Sequence, residues 1–202
     1  KVEYLNYRIN NINFTKEFIK SDISLDEFNN SFSEIAEKKD MLGISKKMLS
    51  LLPTYHKTRL LNAFNECYSN PDALDLVNEF SFGAATFSYK EAKNGPKEKV
   101  DSYRKIIAIP NTVSHFHRIL ALRLCDHLRA NGILDDNIQK GCIPGIKCPL
   151  LQQIIKVKSV VNDSIKNNKK TAIMYLDIAD AFGSVNRDSL FYILRLYKVP
   201  EN

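Results

Sequence analysis

Apolar side chains recur at helical spacing in several stretches of the chain. The first helix is predicted to begin at Ser24, which opens a Ser-Leu-Asp-Glu capping box and follows Ile23, the partner of Phe28 in a hydrophobic staple. Phe32 and Ile35 continue this apolar stripe. The same spacing predicts helices over 54–68, 112–129 and 148–166, and a last helix after Asn186 that ends by Pro200.

Other stretches are rich in aromatic and β-branched residues, which favour β-strands. Residues 80–89 and 102–109 flank the polar string 91–99 with its Asn-Gly-Pro, an arrangement typical of a β-hairpin. The apolar run 171–178 predicts a further, buried strand. Several helices, an antiparallel hairpin and one more strand indicate an α+β fold.

The predicted helices present apolar faces that we expect to be buried. The face of the helix over 112–129 comprises Phe116, Leu120, Leu124 and Leu128. The residues expected inside on the helix over 148–166 are Leu151, Ile154, Ile155 and Val161. Polar or Gly/Pro-containing strings predict loops over 38–43 and 141–147.

Composition places the chain among folded globular proteins. Its 202 residues are 44% hydrophobic and 26% charged. The sequence has no apolar run of membrane-spanning length, and its first residues lack the apolar core of a signal peptide. We therefore expect a protein of the cytoplasm or nucleus that is neither secreted nor held in a membrane.

Charge points weakly to a partner, whereas the cysteines and histidines point to none. Lys and Arg number 29 against 23 Asp and Glu, a net charge of +6 that favours nucleic acid. His115 and His117 are alternate residues without an evident third ligand, so we expect structural histidines. No zinc spacing relates the cysteines, which we expect to be reduced thiols that are buried or half-buried, namely Cys67, Cys125, Cys142 and Cys148.

The string Met-Tyr-Leu-Asp-Ile-Ala-Asp-Ala-Phe-Gly-Ser-Val-Asn-Arg over 174–187 carries the clearest chemistry. It delivers Asp177 at the end of an apolar run, where a carboxylate suits Mg²⁺ and two-metal phosphoryl transfer. Taken alone, this pattern favours the simpler interpretation that Asp177 merely ends a strand or begins a turn. The whole string resembles motif A of reverse transcriptases through Asp177, Ala181, Phe182, Ser184 and Val185.

This resemblance implies a role for three residues of the string. Asp177 would bind Mg²⁺ with help from the Ile178 carbonyl, and Phe182 would be the steric gate that excludes a 2′-hydroxyl. Members of the family from non-LTR retrotransposons often have Lys where this chain has Asp180, and Asp where it has Gly183.

Upstream strings resemble the same family in order and spacing. Tyr-Arg-Lys-Ile (103–106) resembles the YRPI signature of the fingers, and Phe-Ser-Tyr-Lys (87–90) resembles the preceding strand end. The resemblance implies that Arg104 and Lys90 hold the triphosphate, since Arg matches phosphate oxygens with two parallel bonds. The alternatives are a solvated Arg104, and another lysine of the hairpin in place of Lys90.

Two further strings extend the likeness towards the template and primer. Residues 115–124 resemble the helix after the YRPI signature, and Arg118 either contacts template backbone or is solvated. Residues 139–145 resemble the Q-x-G-F-x-P-G loop, with Cys142 in place of Phe; we call 139–147 the template loop. Its candidate template and primer contacts are Lys140, Gly141, Pro144, Gly145 and Lys147.

The resemblance implies right-hand polymerase architecture, with a polar N-terminal segment (1–17), fingers (18–148) and a partial palm (149–202). It implies RNA-directed DNA synthesis from an RNA template, a DNA primer and deoxynucleoside triphosphates, with two Mg²⁺ ions. The family's aromatic-x-Asp-Asp string is absent from the 202 residues. We therefore expect the rest of the palm and the thumb in a parent chain, and an inactive isolated chain.

Two alternatives remain open from the sequence. One is a non-catalytic remnant that binds RNA or an RNA/DNA hybrid, which the departures at Lys105, Cys142 and the block 39–44 favour. The other is a viral RNA-dependent polymerase, against which Phe182 argues because its ring would exclude ribonucleotides.

Overall fold

The computed structural model describes residues 12–32, 37–70, 82–90, 96–143, 145–178 and 180–200. Its helices are α1 (Leu25–Asn30), α2 (Lys46–Ser50), α3 (Thr54–Ser69), α4 (Asn111–Ala130), α5 (Pro149–Lys166) and α6 (Arg187–Leu196). Its strands are β1 (Ala84–Tyr89) and β2 (Tyr103–Ala108), so the α+β fold class is confirmed. None of the described helices is long and apolar enough to span a bilayer.

Two compact units make up the chain. The first unit is Lys20–Leu122, and the second combines Lys1–Ile19 with Arg123–Glu201. Both described strands belong to the first unit, whereas α5 and α6 belong to the second.

The core of the first unit forms where the sequence predicts the first helix. Ser24 Oγ accepts a hydrogen bond from the Glu27 amide at 3.1 Å, and Glu27 Oε2 accepts one from the Ser24 amide at 2.9 Å, which confirms the capping box. Ile23 and Phe28 are both buried, as the staple requires. They join a cluster whose buried members are Ile23, Phe28, Leu61, Phe64 and Ile119.

The predicted hairpin is confirmed as an antiparallel pair of strands. Its register runs from Ala84 opposite Ala108 to Tyr89 opposite Tyr103. A short 3-10 turn, Val100–Ser102, leads directly into β2. Several predicted positions, namely Ile35, Phe80, Ser81 and residues 91–95 of the turn, lie outside the described residues.

The buried stripe of α4 is offset by one residue from the predicted face. The predicted face, Phe116 with Leu120, Leu124 and Leu128, is only half-buried. The stripe of buried positions is His115, Ile119, Arg123 and His127, and Val113 near the start of the helix is buried as well. Polar side chains are tolerated there because partners satisfy them, as when His127 Nε2 meets the Tyr197 carbonyl at 2.7 Å.

The prediction of a buried strand over 171–178 is wrong. The segment is not part of a strand, and side chains along it are exposed, including Leu176 at 85%. The burial predicted on α5 is also wrong, since Leu151, Ile154 and Ile155 are exposed. An apolar pattern signals a capacity for burial, but a strand also needs a neighbour for its hydrogen bonds, and the described part of the second unit contains no strand.

Candidate functional site

Two of the predicted site residues lie on one face of the hairpin. Arg104 is paired with Ser88, and the Lys90 amide donates to the Ser102 carbonyl at 2.8 Å, one step beyond β1. Lys90 is therefore diagonal to Arg104 on the same face, a relation that places the two residues about 7–8 Å apart. Arg104 is exposed and Lys90 half-buried. The two cations can thus reach one anionic group from the same side.

Asp177 lies in an exposed segment of the second unit. Its Oδ1 accepts a hydrogen bond from the adjacent Ile178 amide at 3.0 Å. Ile178 is 69% exposed and Phe182 is 93% exposed. The three predicted residues therefore lie together in one stretch that solvent reaches, rather than at the end of a buried strand.

The Asp177 segment does not by itself fit a magnesium site. Mg²⁺ demands near-octahedral oxygen coordination, and two-metal sites hold two ions with shared carboxylates. Among the residues that the structure describes, no group of three or more His, Cys, Asp or Glu side chains is placed to hold a metal ion. Asp177 and the Ile178 carbonyl would need further carboxylates to complete such a site.

The turn after Asp177 brings Asp180 and Gly183 together. Asp180 has a φ of +49°, a left-handed conformation that Asp tolerates better than most residues. The Ser184 amide closes the turn on the Asp180 carbonyl at 2.8 Å. A Cβ at Gly183 would overlap the Asp180 carboxylate. The residue types at 180 and 183 are therefore coupled, because any side chain at 183 would require the Asp180 carboxylate to move.

The template loop is irregular, as predicted, and largely exposed. Gly141, Gly145 and Lys147 are exposed and Lys140 is half-buried. Gly145 has a φ of +87°, which glycine adopts without strain. Pro144 lies outside the described residues. The exposed lysine and glycine backbone leave this loop open to a polyanion, and its template contacts stay a prediction.

Two predicted residues of α4 take part in packing. Arg118 Nε donates to the Ser31 carbonyl at 2.7 Å, so Arg118 ties the end of α1 to α4 and its template contact stays a prediction. His115 stacks on Phe32 at 3.8 Å between ring centroids. Burial lowers the pKa of His115 to about 4, so the ring is neutral at pH 7. His115 is a core residue, as expected for a structural histidine.

Sequence reasoning missed a carboxylate clamp at Asp40. Its Oδ1 accepts hydrogen bonds from the Leu42 and Ile44 amides, both at 2.9 Å, and its Oδ2 accepts one from the Asn111 amide at 2.6 Å. Burial raises the pKa of Asp40, but the Asn111, Ile44 and Leu42 amides outweigh it and hold the pKa below its ordinary value. The bonds from the Leu42 and Ile44 amides to Asp40 are local, and Asp is a residue type that commonly forms such turns. The contact with Asn111 spans 71 residues and has no local signal in the sequence.

The four cysteines are free thiols in the structure, but the burial expected of Cys142 and Cys148 is wrong. Cys142 and Cys148 are exposed, whereas Cys67 and Cys125 are half-buried. Burial raises the pKa of the Cys67 and Cys125 thiols, which makes these two less reactive.

Comparison of the chain with protein-family models, with curated proteins and with solved structures found no match. The geometry of the hairpin and the order of the sequence motifs therefore carry the functional interpretation.

Proposed function

We propose that the chain is the fingers and the first part of the palm of an RNA-directed DNA polymerase from a non-LTR retroelement. The observation that carries the proposal is the string from Asp177 to Val185, which resembles motif A of reverse transcriptases. The hairpin supports it, because Arg104 and Lys90 share one face. The proposed partners are an RNA template, a DNA primer and deoxynucleoside triphosphates.

Each proposed residue has a role that suits its chemistry. The planar guanidinium of Arg104 can form two parallel hydrogen bonds to phosphate oxygens, while Lys90 adds a compact charge. The exposed ring of Phe182 would lie under the sugar and exclude a 2′-hydroxyl. Two Mg²⁺ ions are the proposed cofactors, and Asp177 is the one carboxylate of this chain that we assign to them.

The test begins with the transcript, read past the codon for Asn202. We expect an in-frame aromatic-x-Asp-Asp string, and we expect the translated product to extend a DNA primer on an RNA template. Asp177→Asn preserves shape but removes the charge, so extension should fall by about 10²-fold or more. Asp163→Asn is the matched control, since Asp163 is an exposed carboxylate that pairs with the surface groups of Lys169 and Asn167 in its own unit. Equal activity of both variants would refute the role of Asp177.

A second candidate is a non-catalytic module that binds RNA or an RNA/DNA hybrid. It is favoured by the Asp177 carboxylate, which is engaged by a backbone amide of its own segment. A stop codon directly after Asn202, together with RNA binding that is independent of Mg²⁺ and falls steeply with salt, would support this candidate.

A further inference from the structure

The hairpin has a second face, opposite to that of Arg104 and Lys90. The register pairs Phe87 with Lys105 and Tyr89 with Tyr103 on this face. The two tyrosine rings meet edge to face, with centroids 5.5 Å apart and planes at 65°. Three aromatic rings therefore lie side by side along one side of a two-stranded ladder. We call Phe87, Tyr89 and Tyr103 the aromatic face.

A lysine from the turn is held over the aromatic face. Lys97 Nζ lies 5.6 Å from the centroid of the Tyr89 ring, a cation–π contact. The turn that carries it is fixed from within: Ser102 Oγ donates to the Pro96 carbonyl at 2.7 Å, and the Lys99 amide donates to the same carbonyl at 3.1 Å. These bonds fix the backbone next to Lys97.

A cavity of about 310 Å³ opens on the aromatic face. Its walls are formed by Phe87, Lys97, Glu98, Lys99, Val100 and Tyr103. Phe87 is 59% exposed, so one ring is open to a flat partner. The volume lies at the lower end of the range for small ligands, which suits a single planar ring system.

The positive charge of the hairpin favours a planar partner that carries negative charge. Residues 82–109 contain six Lys or Arg against three Asp or Glu, a net charge of +3. Lys99 and Lys105 are exposed beside the aromatic face. Rings flanked by cations match a chain that alternates bases with phosphates, because the bases stack while the cations neutralise the phosphates.

We propose that the aromatic face is a stacking platform for an unpaired base of single-stranded nucleic acid. Phe87 supplies the open ring, Tyr103 the wall beside it, and Lys97 with Lys99 the contacts to phosphate. A duplex does not satisfy this site, because its bases are already stacked and paired. The platform rests on the hairpin alone and does not involve Asp177, so it is tested separately from the polymerase function.

The test measures binding of the 202-residue chain to labelled 12-nucleotide oligouridylate and oligodeoxythymidylate by fluorescence anisotropy at one fixed salt concentration. Phe87→Ala should weaken binding about tenfold with both strands, since stacking uses base faces that RNA and DNA share. The control is Tyr55→Ala, because Tyr55 is also an exposed ring beside a cation, with Arg59 at 5.9 Å. It should change the affinity less than twofold.

A loss restricted to one strand would still support the platform and would identify RNA or DNA as its ligand. Equal affinities of the Phe87→Ala and Tyr55→Ala variants for both strands would overturn it. A second measurement does not depend on any variant: oligouridylate carrying 5-iodouracil should cross-link to Phe87 or Tyr103 on irradiation. Cross-links that map only to other residues would overturn the proposal as well.

Discussion

At the scale of single residues, His115 couples the core of the first unit to pH. Its ring is buried against Phe28 and Phe32, and the Ser31 hydroxyl lies 3.2 Å from Nε2. Burial lowers the pKa of His115 to about 4 from 6.5, while the Phe28 carbonyl opposes the shift and the charges of Lys46 and Arg118 add to it. Protonation therefore favours the unfolded chain, in which the ring is solvated.

The predicted consequence is a loss of stability between pH 6.5 and about 4. The pKa of His115 is about 4 in the folded chain and 6.5 when the ring is solvated in the unfolded chain. The folded state therefore has its full stability above pH 6.5 and loses it as the pH falls from 6.5 to about 4. The loss attributable to His115 is about 3 kcal/mol. Urea denaturation of the chain at a series of pH values measures it.

The His115 prediction has a matched control in its neighbour. His115→Gln keeps a polar side chain but cannot titrate, so the variant should lack most of the slope between pH 6.5 and about 4. His117→Gln removes an exposed histidine two positions along the same helix and should keep the slope. If both variants retained the slope of the unaltered chain, the burial of His115 would not be its source.

At the scale of elements, Asp40 joins a loop to the start of α4. The helix begins at Asn111, whose amide donates to Asp40 Oδ2, and the Asn111 side chain donates back to the Ile44 carbonyl at 2.7 Å. First-turn amides of a helix have no partner within the helix, and a carboxylate is the acceptor that suits them best. The clamp thus fixes both the loop and the helix N-terminus.

Asp40→Asn should destabilise the first unit by about 1–3 kcal/mol. An amide retains one acceptor oxygen, so its NH₂ group must face either the Asn111 amide or the Leu42 and Ile44 amides, all of which are donors. Hydrogen exchange of the Leu42, Ile44 and Asn111 amides measures this loss directly. The exchange of these amides should be faster in the variant than in the unaltered chain.

A control for the clamp is Asp135→Asn. Asp135 is exposed, and within the described residues its side chain accepts the amide of Asn137, two residues away, at 2.7 Å. This variant should change stability by less than about 0.5 kcal/mol. Unchanged exchange of the Asn111 amide in Asp40→Asn would show that the bond across 71 residues contributes nothing.

Elements with local signals were predictable from the sequence, and those that depend on distant partners were not. The capping box at Ser24 and the N-cap at Asn186 each involve residues within four positions of one another. At the second of these caps, Asn186 Oδ1 accepts the Ser189 amide at 2.8 Å. The hairpin follows from alternation and turn residues. The buried stripe of α4 depends instead on contacts such as that of His127 with Tyr197, which spans 70 residues.

The same distinction applies to the candidate site. Arg104 and Lys90 share a face because period-2 alternation and hairpin register are local properties. The surroundings of Asp177 depend on whether a neighbouring strand pairs with its segment. The apolar string alone does not specify such a partner. The sequence places Phe87 and Tyr103 in two strands and in the strings that resemble the fingers, and the face they share follows only from the register of the strand pair.

At the scale of the whole molecule, apolar burial is distributed unevenly between the two units. The buried cluster around Phe28 and Phe64 lies in the first unit. In the second unit, neither α5 nor α6 has a buried residue. The stability of the first unit therefore depends on packed apolar side chains, whereas that of α5 depends on helix propensity and on contacts at its ends.

The contrast predicts opposite outcomes for two apolar truncations. Phe64 is 0% exposed and contacts Phe28 and Phe116 at ring-centroid distances of 5.8 and 5.1 Å. Phe64→Ala should therefore destabilise the first unit by about 3–5 kcal/mol. Ile165 on α5 is 74% exposed, so Ile165→Gln should cost less than about 0.5 kcal/mol. Because two units need not unfold together, hydrogen exchange should be read separately on α3 and α5. A cost above about 1.5 kcal/mol for Ile165→Gln would mean that this side chain is buried in solution, since surface substitutions rarely reach such a value.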